Sequence, residues 1–210
     1  MSLKDIAIVG AGGLGKEIAV LIHQINQQQL TWNVIGFYDD ELPAGKRVVG
    51  HLVLGNVDRL NEIDYNLHLV IAIGDPMVKS KIVSRVINPK ITYPILVHPS
   101  ASLGFEINLG KGTIVTAGCH LTAEVSVNDH VLINLNSTIG HDVSIGKFSC
   151  IMPGVHLSGF VSIGESVLIG TGASVLQHLT IGNFARVGAG AIVTKDVEVG
   201  STVKGVPARK

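Results

Sequence analysis

Every sixth residue from Leu103 to Val199 is Leu, Ile or Val, without a break over seventeen positions. An α-helix has a period of 3.6 residues and an alternating strand a period of two, so neither requires a strict period of six. A fixed repeat of this kind indicates a solenoid, in which each hexad supplies one short strand and one turn. Glycine often follows the apolar residue, and its backbone freedom permits the turn.

Three hexads form one triangular coil of eighteen residues, so the array predicts between five and six coils of a left-handed parallel β-helix. At roughly 4.8 Å per stacked strand, the prism is about 25 Å tall. A second, smaller set of residues lies two positions before each apolar one and fills the corners. Cys119 belongs to this set and is predicted to lie in the core. Cys150 directly precedes an inward isoleucine and is predicted to be exposed, with no base near it in the sequence.

The first 95 residues follow a different pattern, in which apolar runs alternate with helical spacing. The runs "DIAIVG", "NVIGFYDD" and "LHLVIAIGD" predict three strands. Helical spacing through Glu17–Ile25 predicts a helix after the first strand, and the same spacing after Pro76 predicts a second helix after the third strand. This alternation is typical of a small parallel sheet with right-handed crossovers. We therefore expect an α/β Rossmann-like domain over residues 1–95 and a β-helix over residues 96–210.

Composition limits which binding partners and which cellular location we expect. The formal net charge is zero and only 15% of residues are charged, which argues against a nucleic-acid or anionic-membrane partner. Two cysteines make no disulfide framework, and "MSLKDIAIVGAGG" is typical of a strand rather than a signal peptide. No run of eighteen apolar residues is present, so we expect no membrane span and a cytoplasmic protein.

His141 and Asp142 are the strongest candidates for catalysis in the hexad array. A spacing of eighteen residues places Ala123 and Gly159 on either side of His141, which leaves open space around its ring. Glu124, Phe160 and His178 share the column of Asp142. A corner imidazole beside a carboxylate is a candidate general base at neutral pH. The alternative is an ordinary surface histidine, and Asp142 orients His141 only if the corner bends the two side chains together.

The other histidines of the array predict no metal site. They occupy varied slots without an HxH or HExxH spacing, namely His120, His130, His156 and His178.

The segment "GAGGLG" places Gly10, Gly12 and Gly15 in a G-x-G-x-x-G arrangement between a predicted strand and a predicted helix. Such a turn brings backbone N–H groups and a helix N-terminus to a phosphate. The next strand ends in Asp39-Asp40, at a place suited to a ribose or a base edge. A literal interpretation is a dinucleotide such as NAD, but a single nucleotide diphosphate fits a module of about 95 residues better. The alternative is a glycine turn that only packs strand on helix.

The hexad array, the segment "NLNSTIGHDVSIGKF", the terminal "GVPARK" and the glycine-rich module together resemble the bacterial sugar O- and N-acyltransferases of the hexapeptide-repeat superfamily. That family includes the sialic acid O-acetyltransferases and the UDP-4-amino-sugar N-acetyltransferases. The resemblance implies an acetyl-CoA-dependent homotrimer without a metal. It also implies that acetyl-CoA lies between adjacent β-helices and that the N-terminal module holds the nucleotide-sugar.

The resemblance also implies roles for individual residues. His141 is the base, Asp142 its accompanying acid, Asn134 a residue near the acceptor, and Gly159 a backbone donor to the thioester oxygen. The nucleotide-sugar is expected at Gly10, Gly12, Gly13, Asp39, Asp40 and Gly74, and CoA at Gly159, Gly170, Gly188, Lys204 and Arg209.

Two positions depart from the pattern of the family: Leu14 and Cys150 stand where relatives carry histidines. Our leading hypothesis is N-acetylation of a nucleotide-linked amino sugar for a surface glycan, by direct transfer without a covalent enzyme intermediate. Acetylation of a sugar hydroxyl is the first alternative. A non-catalytic nucleotide-sugar-binding scaffold is favoured if the two departures mark lost chemistry. A metal-dependent hydratase would need three histidines that converge at the subunit interface. An NAD oxidoreductase is least supported, because the hexad half offers no hydride-acceptor site.

Overall fold

The computed structural model describes residues 3–210, which divide into two compact units. The first unit comprises the residues up to Gly74 together with Val78–Pro94, and the second comprises Asp75–Met77 together with Ile95–Lys210. Within residues 3–210, no helix combines the length and the apolar character that crossing a membrane requires.

The first unit is a six-stranded sheet with helices, and it contains the second α-helix from Val78 onward. Its elements are β1 Lys4–Val9, α1 Gly13–Gln28, β2 Trp32–Tyr38, β3 Arg47–Val48, β4 His51–Gly55, a 3-10 helix Val57–Glu62, β5 Leu67–Ile71, α2 Pro76–Arg85 and β6 Ile91–Thr92. The strand order is β3-β4-β2-β1-β5-β6, and all pairs are parallel except the β3–β4 hairpin.

The predicted α/β pattern of this unit is confirmed, and the sheet is wider than the sequence indicated. β1, β2 and β5 are the three predicted strands, and both helices form where apolar spacing places them. Three strands are additional to the predicted ones: β3 and β6 have two residues each, and β4 has five. A strand of two residues carries no readable period, so only its pairing in the folded sheet identifies it.

The second unit is a left-handed parallel β-helix with three faces. The first face holds β7, β10, β13, β16, β19, β22 and β24, the second holds β8, β11, β14, β17, β20 and β23, and the third holds β9, β12, β15, β18 and β21. The strands are β7 Leu96–Val97, β8 Ser102–Phe105, β9 Asn108–Leu109, β10 Ile114–Val115, β11 His120–Ala123, β12 Ser126–Val127, β13 Leu132–Ile133, β14 Thr138–Ile139, β15 Ser144–Ile145, β16 Cys150–Ile151, β17 His156–Leu157, β18 Ser162–Ile163, β19 Leu168–Ile169, β20 Ser174–Val175, β21 Thr180–Ile181, β22 Arg186–Val187, β23 Ile192–Val193 and β24 Thr202–Val203.

The core of the β-helix is the stack of hexad side chains. Every sixth residue from Val115 to Val193 is buried, and the smaller set beside it fills the corners. Cys119 is fully buried within that set, as predicted. Each apolar side chain therefore packs on the equivalent side chain eighteen residues away.

The two ends of the array depart from the predicted repeat. Leu103 is 40% exposed because it lies in the first complete coil, where nothing continues the stack below it. Val199 is 67% exposed because the last coil is shorter. Ile181 pairs with Val197, sixteen residues on rather than eighteen, and Val187 correspondingly pairs with Val203. The prediction that Val199 points inward is therefore wrong, and Val197 takes its place.

The prediction that Cys150 is exposed is also wrong, since its exposed fraction is 0%. Cys150 does point away from the axis of the β-helix, as its place before an inward isoleucine requires. The outward column of the first face is buried from Leu96 through Ile114 and Leu132 to Cys150, however, and becomes more exposed beyond it. On the third face the equivalent column is exposed and polar, as at Ser144 and Ser162. An outward direction therefore does not mean exposure on every face.

Candidate functional site

The corner after β14 brings His141 and Asp142 together. The backbone at Asp142 is left-handed, with φ of 59°, so the chain bends instead of continuing as a strand. As a result, Nδ1 of His141 and Oδ2 of Asp142 lie 2.7 Å apart. An ionised carboxylate can only accept a hydrogen bond, so Nδ1 is the donor and Nε2 carries the lone pair. The corner thus bends the two side chains together, which is the condition under which Asp142 can orient His141.

Gly159 lies directly against the ring of His141, one coil further along the β-helix. A Cβ atom at this position would approach Nε2 and Cε1 of His141 to 2.6 Å. Gly159 does not have a positive φ, and Ala123 occupies the same slot one coil before His141. The backbone therefore accepts a side chain in this slot, and glycine is needed at residue 159 because of the imidazole.

The backbone N–H of Gly159 is a spare donor. Within residues 3–210 it has no hydrogen-bond acceptor, whereas the next N–H, that of Phe160, donates to the carbonyl of His141 at 3.0 Å. The His141 side chain is 57% exposed and that of Asp142 is 33% exposed, so a ligand can reach both the imidazole and this donor. A base and a free N–H are thus adjacent, which is what transfer of an acyl group requires.

Asn134 lies elsewhere, at the corner after β13. Its side chain is buried, and its Oδ1 accepts from the backbone N–H of Leu135 at 2.8 Å. The structure therefore places Asn134 on a different corner from His141, where its amide closes the local turn. Its predicted place near the acceptor stays a prediction.

Gly170 and Gly188 follow Asn134 in the same column. A Cβ atom at Gly170 would approach the backbone N of Ala189 to 2.6 Å, and one at Gly188 would approach Cβ of Lys204 to 3.0 Å. Close stacking of coils explains glycine at residue 170, and contact with CoA stays a prediction for both residues.

Lys204 and Arg209 are brought together by the last turn of the chain. The backbone N–H of each donates to the carbonyl of the other, at 2.8 and 2.9 Å. Both side chains are exposed, and Arg209 also lines a cleft of about 300 Å³ at this end of the β-helix. Two adjacent exposed cations can meet a phosphate, although their assignment to CoA stays a prediction.

The first unit contains a cleft of about 380 Å³ at the start of α1. All six residues predicted to hold the nucleotide-sugar line it, namely Gly10, Gly12, Gly13, Asp39, Asp40 and Gly74. Leu14, the departure from the pattern of the family, also lines it. The first N–H groups of a helix have no partners within the helix, so the start of α1 offers donors for a phosphate.

The glycines of the loop have different reasons to be glycine. Gly10 has φ of +94°, and a Cβ atom at Gly15 would lie 2.0 Å from the carbonyl oxygen of Gly10. These two residues form the turn and the close packing of α1 on the sheet. Gly12 and Gly13 would have open space around a Cβ atom. The absence of side chains at Gly12 and Gly13 therefore leaves the backbone open to approach by a ligand.

Asp39 is committed to the loop that carries the glycines. Its Oδ2 accepts from the N–H of Ala11 at 2.7 Å, and its Oδ1 accepts from those of Glu41 and Leu42 at 2.9 Å each. Partial burial raises the pKa of Asp39, but the three donors outweigh it and the pKa lies below its usual value of 3.8.

Asp40 is held mainly by Arg85. Nη1 of Arg85 lies 2.6 Å from Oδ2 of Asp40, and Arg85 also contacts Asp58 at 2.9 Å. The hydrogen bond from Arg85 is the largest cause that lowers the pKa of Asp40, and the N–H of Val57 adds to it. Sequence reasoning missed Arg85, because a single arginine at the end of a helix carries no pattern.

These two depressed pKa values predict a pH-dependent contribution to stability. Because the folded-state pKa values lie below 3.8, the ionised carboxylates stabilise the first unit. The contribution is fully present above the unfolded-state pKa and is lost as the pH falls through the folded-state values. We expect the double variant Asp39→Asn/Asp40→Asn to unfold at a lower temperature than the wild type at pH 7, with the difference narrowing as the pH falls below 3.8. Circular dichroism melts at pH 7 and at about pH 3 measure this.

The control for that experiment is Asp64→Asn, an exposed aspartate of the same unit. It should melt like the wild type at both pH values. A difference that stays constant from pH 7 to about pH 3 would contradict the assignment to ionised Asp39 and Asp40.

The described residues, 3–210, contain no group of three or more His, Cys, Asp or Glu side chains placed to hold a metal ion.

Comparison with known proteins identifies a family and several solved structures that the chain resembles. Residues 5–86 match the family described as the PglD N-terminal domain. No curated protein matches the chain. Among solved structures, the acetyltransferase domain of PglB from Neisseria gonorrhoeae is similar with 33% identity and a TM-score of 0.89, and the match covers 98% of each chain. That domain has also been solved in complex with acetyl coenzyme A.

Two further structures match the whole chain. WeeI from Acinetobacter baumannii is 30% identical with a TM-score of 0.88 over 99% of each chain. PerB from Caulobacter crescentus, in complex with CoA and GDP-perosamine, is 29% identical with a TM-score of 0.85, over 99% of this chain and 97% of its own. A related structure names that enzyme a perosamine N-acetyltransferase.

Proposed function

Because this chain belongs to the hexapeptide-repeat acetyltransferases that carry a PglD-type N-terminal domain, we propose that it acetylates the amino group of a nucleotide-linked sugar. The enzyme class is acetyl-CoA-dependent acetyl transfer. The main support for this proposal is the corner at His141, where the oriented imidazole lies beside the backbone N–H of Gly159, which has no acceptor within residues 3–210.

The reaction proceeds by direct transfer. The sugar amine attacks the carbonyl carbon of the thioester, and Nε2 of His141 takes the proton that the amine loses. The N–H of Gly159 donates to the oxygen that becomes negative in the tetrahedral intermediate. The C–S bond then breaks, and the CoA thiolate receives the proton from the imidazolium. Asp142 keeps Nδ1 protonated, so Nε2 is the nitrogen that takes the proton and later returns it.

The nucleotide part of the acceptor belongs in the cleft of the first unit. The N–H groups at the start of α1 serve the diphosphate, and the open surface of Gly12 and Gly13 lets it approach the backbone. The complex of PerB with GDP-perosamine supports a nucleotide-linked amino sugar as the class of acceptor.

Acetyl-CoA is assigned to the β-helix, with Gly159, Gly170, Gly188, Lys204 and Arg209 as its contacts. The homotrimer is part of this proposal, since a groove between adjacent β-helices needs more than one subunit. Cys150 cannot take over the role of the histidine that relatives carry at its place, because it is fully buried.

The deciding experiment measures release of free CoA thiol from acetyl-CoA in the presence of UDP-, dTDP- and GDP-linked 3-amino and 4-amino sugars. The matched controls are the same nucleotide-sugars with a hydroxyl in place of the amine. Turnover confined to amine acceptors supports the proposal, whereas turnover of the hydroxyl series makes the enzyme an O-acetyltransferase. If no acceptor turns over while a nucleotide-sugar still raises the melting temperature, the chain is a binding scaffold.

Asp142→Asn tests the orientation of the base. An asparagine amide can present N–H to Nδ1, which would move the proton of the imidazole to Nε2 and remove the basic lone pair from the reacting side. We expect kcat to fall about a hundredfold, with the KM values for both substrates changed little. Glu124→Gln, in the same column one coil before, is the control and should leave kcat unchanged. Wild-type kcat in Asp142→Asn would show that Asp142 does not orient His141.

A further inference from the structure

A ladder of corner residues passes through the site. Glu124, Asp142, Phe160 and His178 occupy the same corner in four successive coils, and each has φ between 55° and 61°. The side chains at this corner therefore leave the β-helix in the same direction, one above another. Phe160 is the one apolar member of the four.

Phe160 contacts a histidine on each side. Its ring meets the imidazole of His141 edge to face, with centroids 5.1 Å apart and planes at 88°. Its other neighbour is His178, whose ring is stacked on it at 4.8 Å with planes at 10°. Both arrangements are among those that aromatic pairs prefer. Phe160 is thus held in place by His178 while it touches the proposed base.

The left-handed backbone at Phe160 is the regular corner conformation of this β-helix, and Phe148 and Phe184 share it with φ of 63° and 62°. The ring of Phe160 is 49% exposed. Its contact with the imidazole of His141 is what distinguishes it from those two residues.

We propose that Phe160 is a positioning residue that holds the imidazole of His141 in its reactive orientation. The hydrogen bond to Asp142 fixes Nδ1, and the backbone of Gly159 limits the ring at its Nε2 and Cε1 end. The exposed ring can still turn about its Cα–Cβ and Cβ–Cγ bonds on the side that Gly159 does not cover. Phe160 supplies the third contact, which restricts this rotation. The inference rests on the proposed function of His141 as base.

The test is a series at residue 160. Phe160→Ala and Phe160→Leu should each lower kcat by about tenfold to a hundredfold, because a misplaced base loses alignment with the amine. The KM values for acetyl-CoA and the nucleotide-sugar should stay within about twofold, since Phe160 positions the base and not the substrates. Phe160→Tyr keeps the ring and should keep most of the activity.

Phe184→Ala is the matched control. Phe184 has the same left-handed backbone, with φ of 62° against 60° for Phe160, and a similar exposed fraction of 44%. It lies on another corner, away from His141. Its replacement by alanine removes the same side chain from the same backbone conformation, and kcat should not change.

A second measurement separates this inference from the proposed function. The NMR resonance of the His141 Cε1–H, assigned by its disappearance in His141→Gln, senses the ring of Phe160 directly. We expect this resonance to move in Phe160→Leu and to stay in place in Phe184→Ala.

If the wild type turns over and Phe160→Leu matches it in kcat, the inference is overturned while the proposed function stands. If the wild type turns over no acceptor, the proposed function fails. In that case an unmoved resonance in Phe160→Leu overturns the contact as well.

Discussion

We expect His141→Ala to lower kcat for acetyl transfer at least a hundredfold, since a positioned general base contributes roughly 10²- to 10⁴-fold. The variant removes the lone pair that receives the proton of the amine, but it leaves the N–H of Gly159 and the nucleotide cleft unchanged. Binding should therefore persist while turnover is lost. Steady-state release of CoA thiol at saturating concentrations gives kcat, and the dependence on each substrate gives the KM values, which should stay close to those of the wild type.

His156→Ala is the control for this prediction. His156 is also an exposed histidine of the β-helix with a partner at Nδ1, the hydroxyl of Thr138 at 2.8 Å. It lacks the carboxylate that orients His141, and it lies on a strand instead of a corner. Its kcat should match the wild type. Equal kcat values for His141→Ala and the wild type would remove His141 from the mechanism.

Gly159→Ala is expected to have the second-largest effect, also about a hundredfold in kcat. A methyl group placed 2.6 Å from Nε2 and Cε1 of His141 must push the ring aside, because carbon and nitrogen atoms do not approach so closely. The same methyl group lies beside the N–H that is assigned to the oxyanion. A single added carbon thus disturbs both groups that act on the reacting carbonyl, although the backbone itself accepts alanine in this slot.

The control for Gly159→Ala is Gln177→Ala, in the same column one coil further along. Both variants should keep a melting temperature within about 3 °C of the wild type, because neither alters the buried hexad core. Loss of activity without loss of stability in Gly159→Ala alone supports the site. If instead its melting temperature falls sharply, glycine at residue 159 serves the packing of the coils and not the chemistry.

The repeat of six made much of the site predictable. A period of eighteen residues per coil places Gly159 beside His141 and Phe160 beside Asp142. In the structure, Gly159 lies against the ring of His141, and Phe160 occupies the same corner as Asp142 one coil further along. The glycine loop was predictable for a similar reason, because its spacing between a strand and a helix permits one kind of turn. Local rules of this kind need no knowledge of the rest of the fold.

Other features depended on the direction and surroundings of each side chain. The contact between His141 and Asp142 needed the left-handed backbone at Asp142, which nothing in the residue type requires. Asp39 and Asp40 occupy the predicted place at the end of a strand, but their oxygens are largely taken by backbone donors and by Arg85. The spacing of the sequence predicts that these carboxylates lie near the glycine loop, but only the folded structure shows which groups they bind.

The sequence by itself determined the two kinds of domain, the coil of eighteen residues and the column in which each corner side chain lies, because these follow from periods that every repeat obeys. Tertiary structure alone decided that Cys150 is buried, that the last coil has sixteen residues, and that Phe160 meets the imidazole of His141. These features depend on the direction of each side chain, on what covers a face and on how the stack ends, and the repeat specifies none of these.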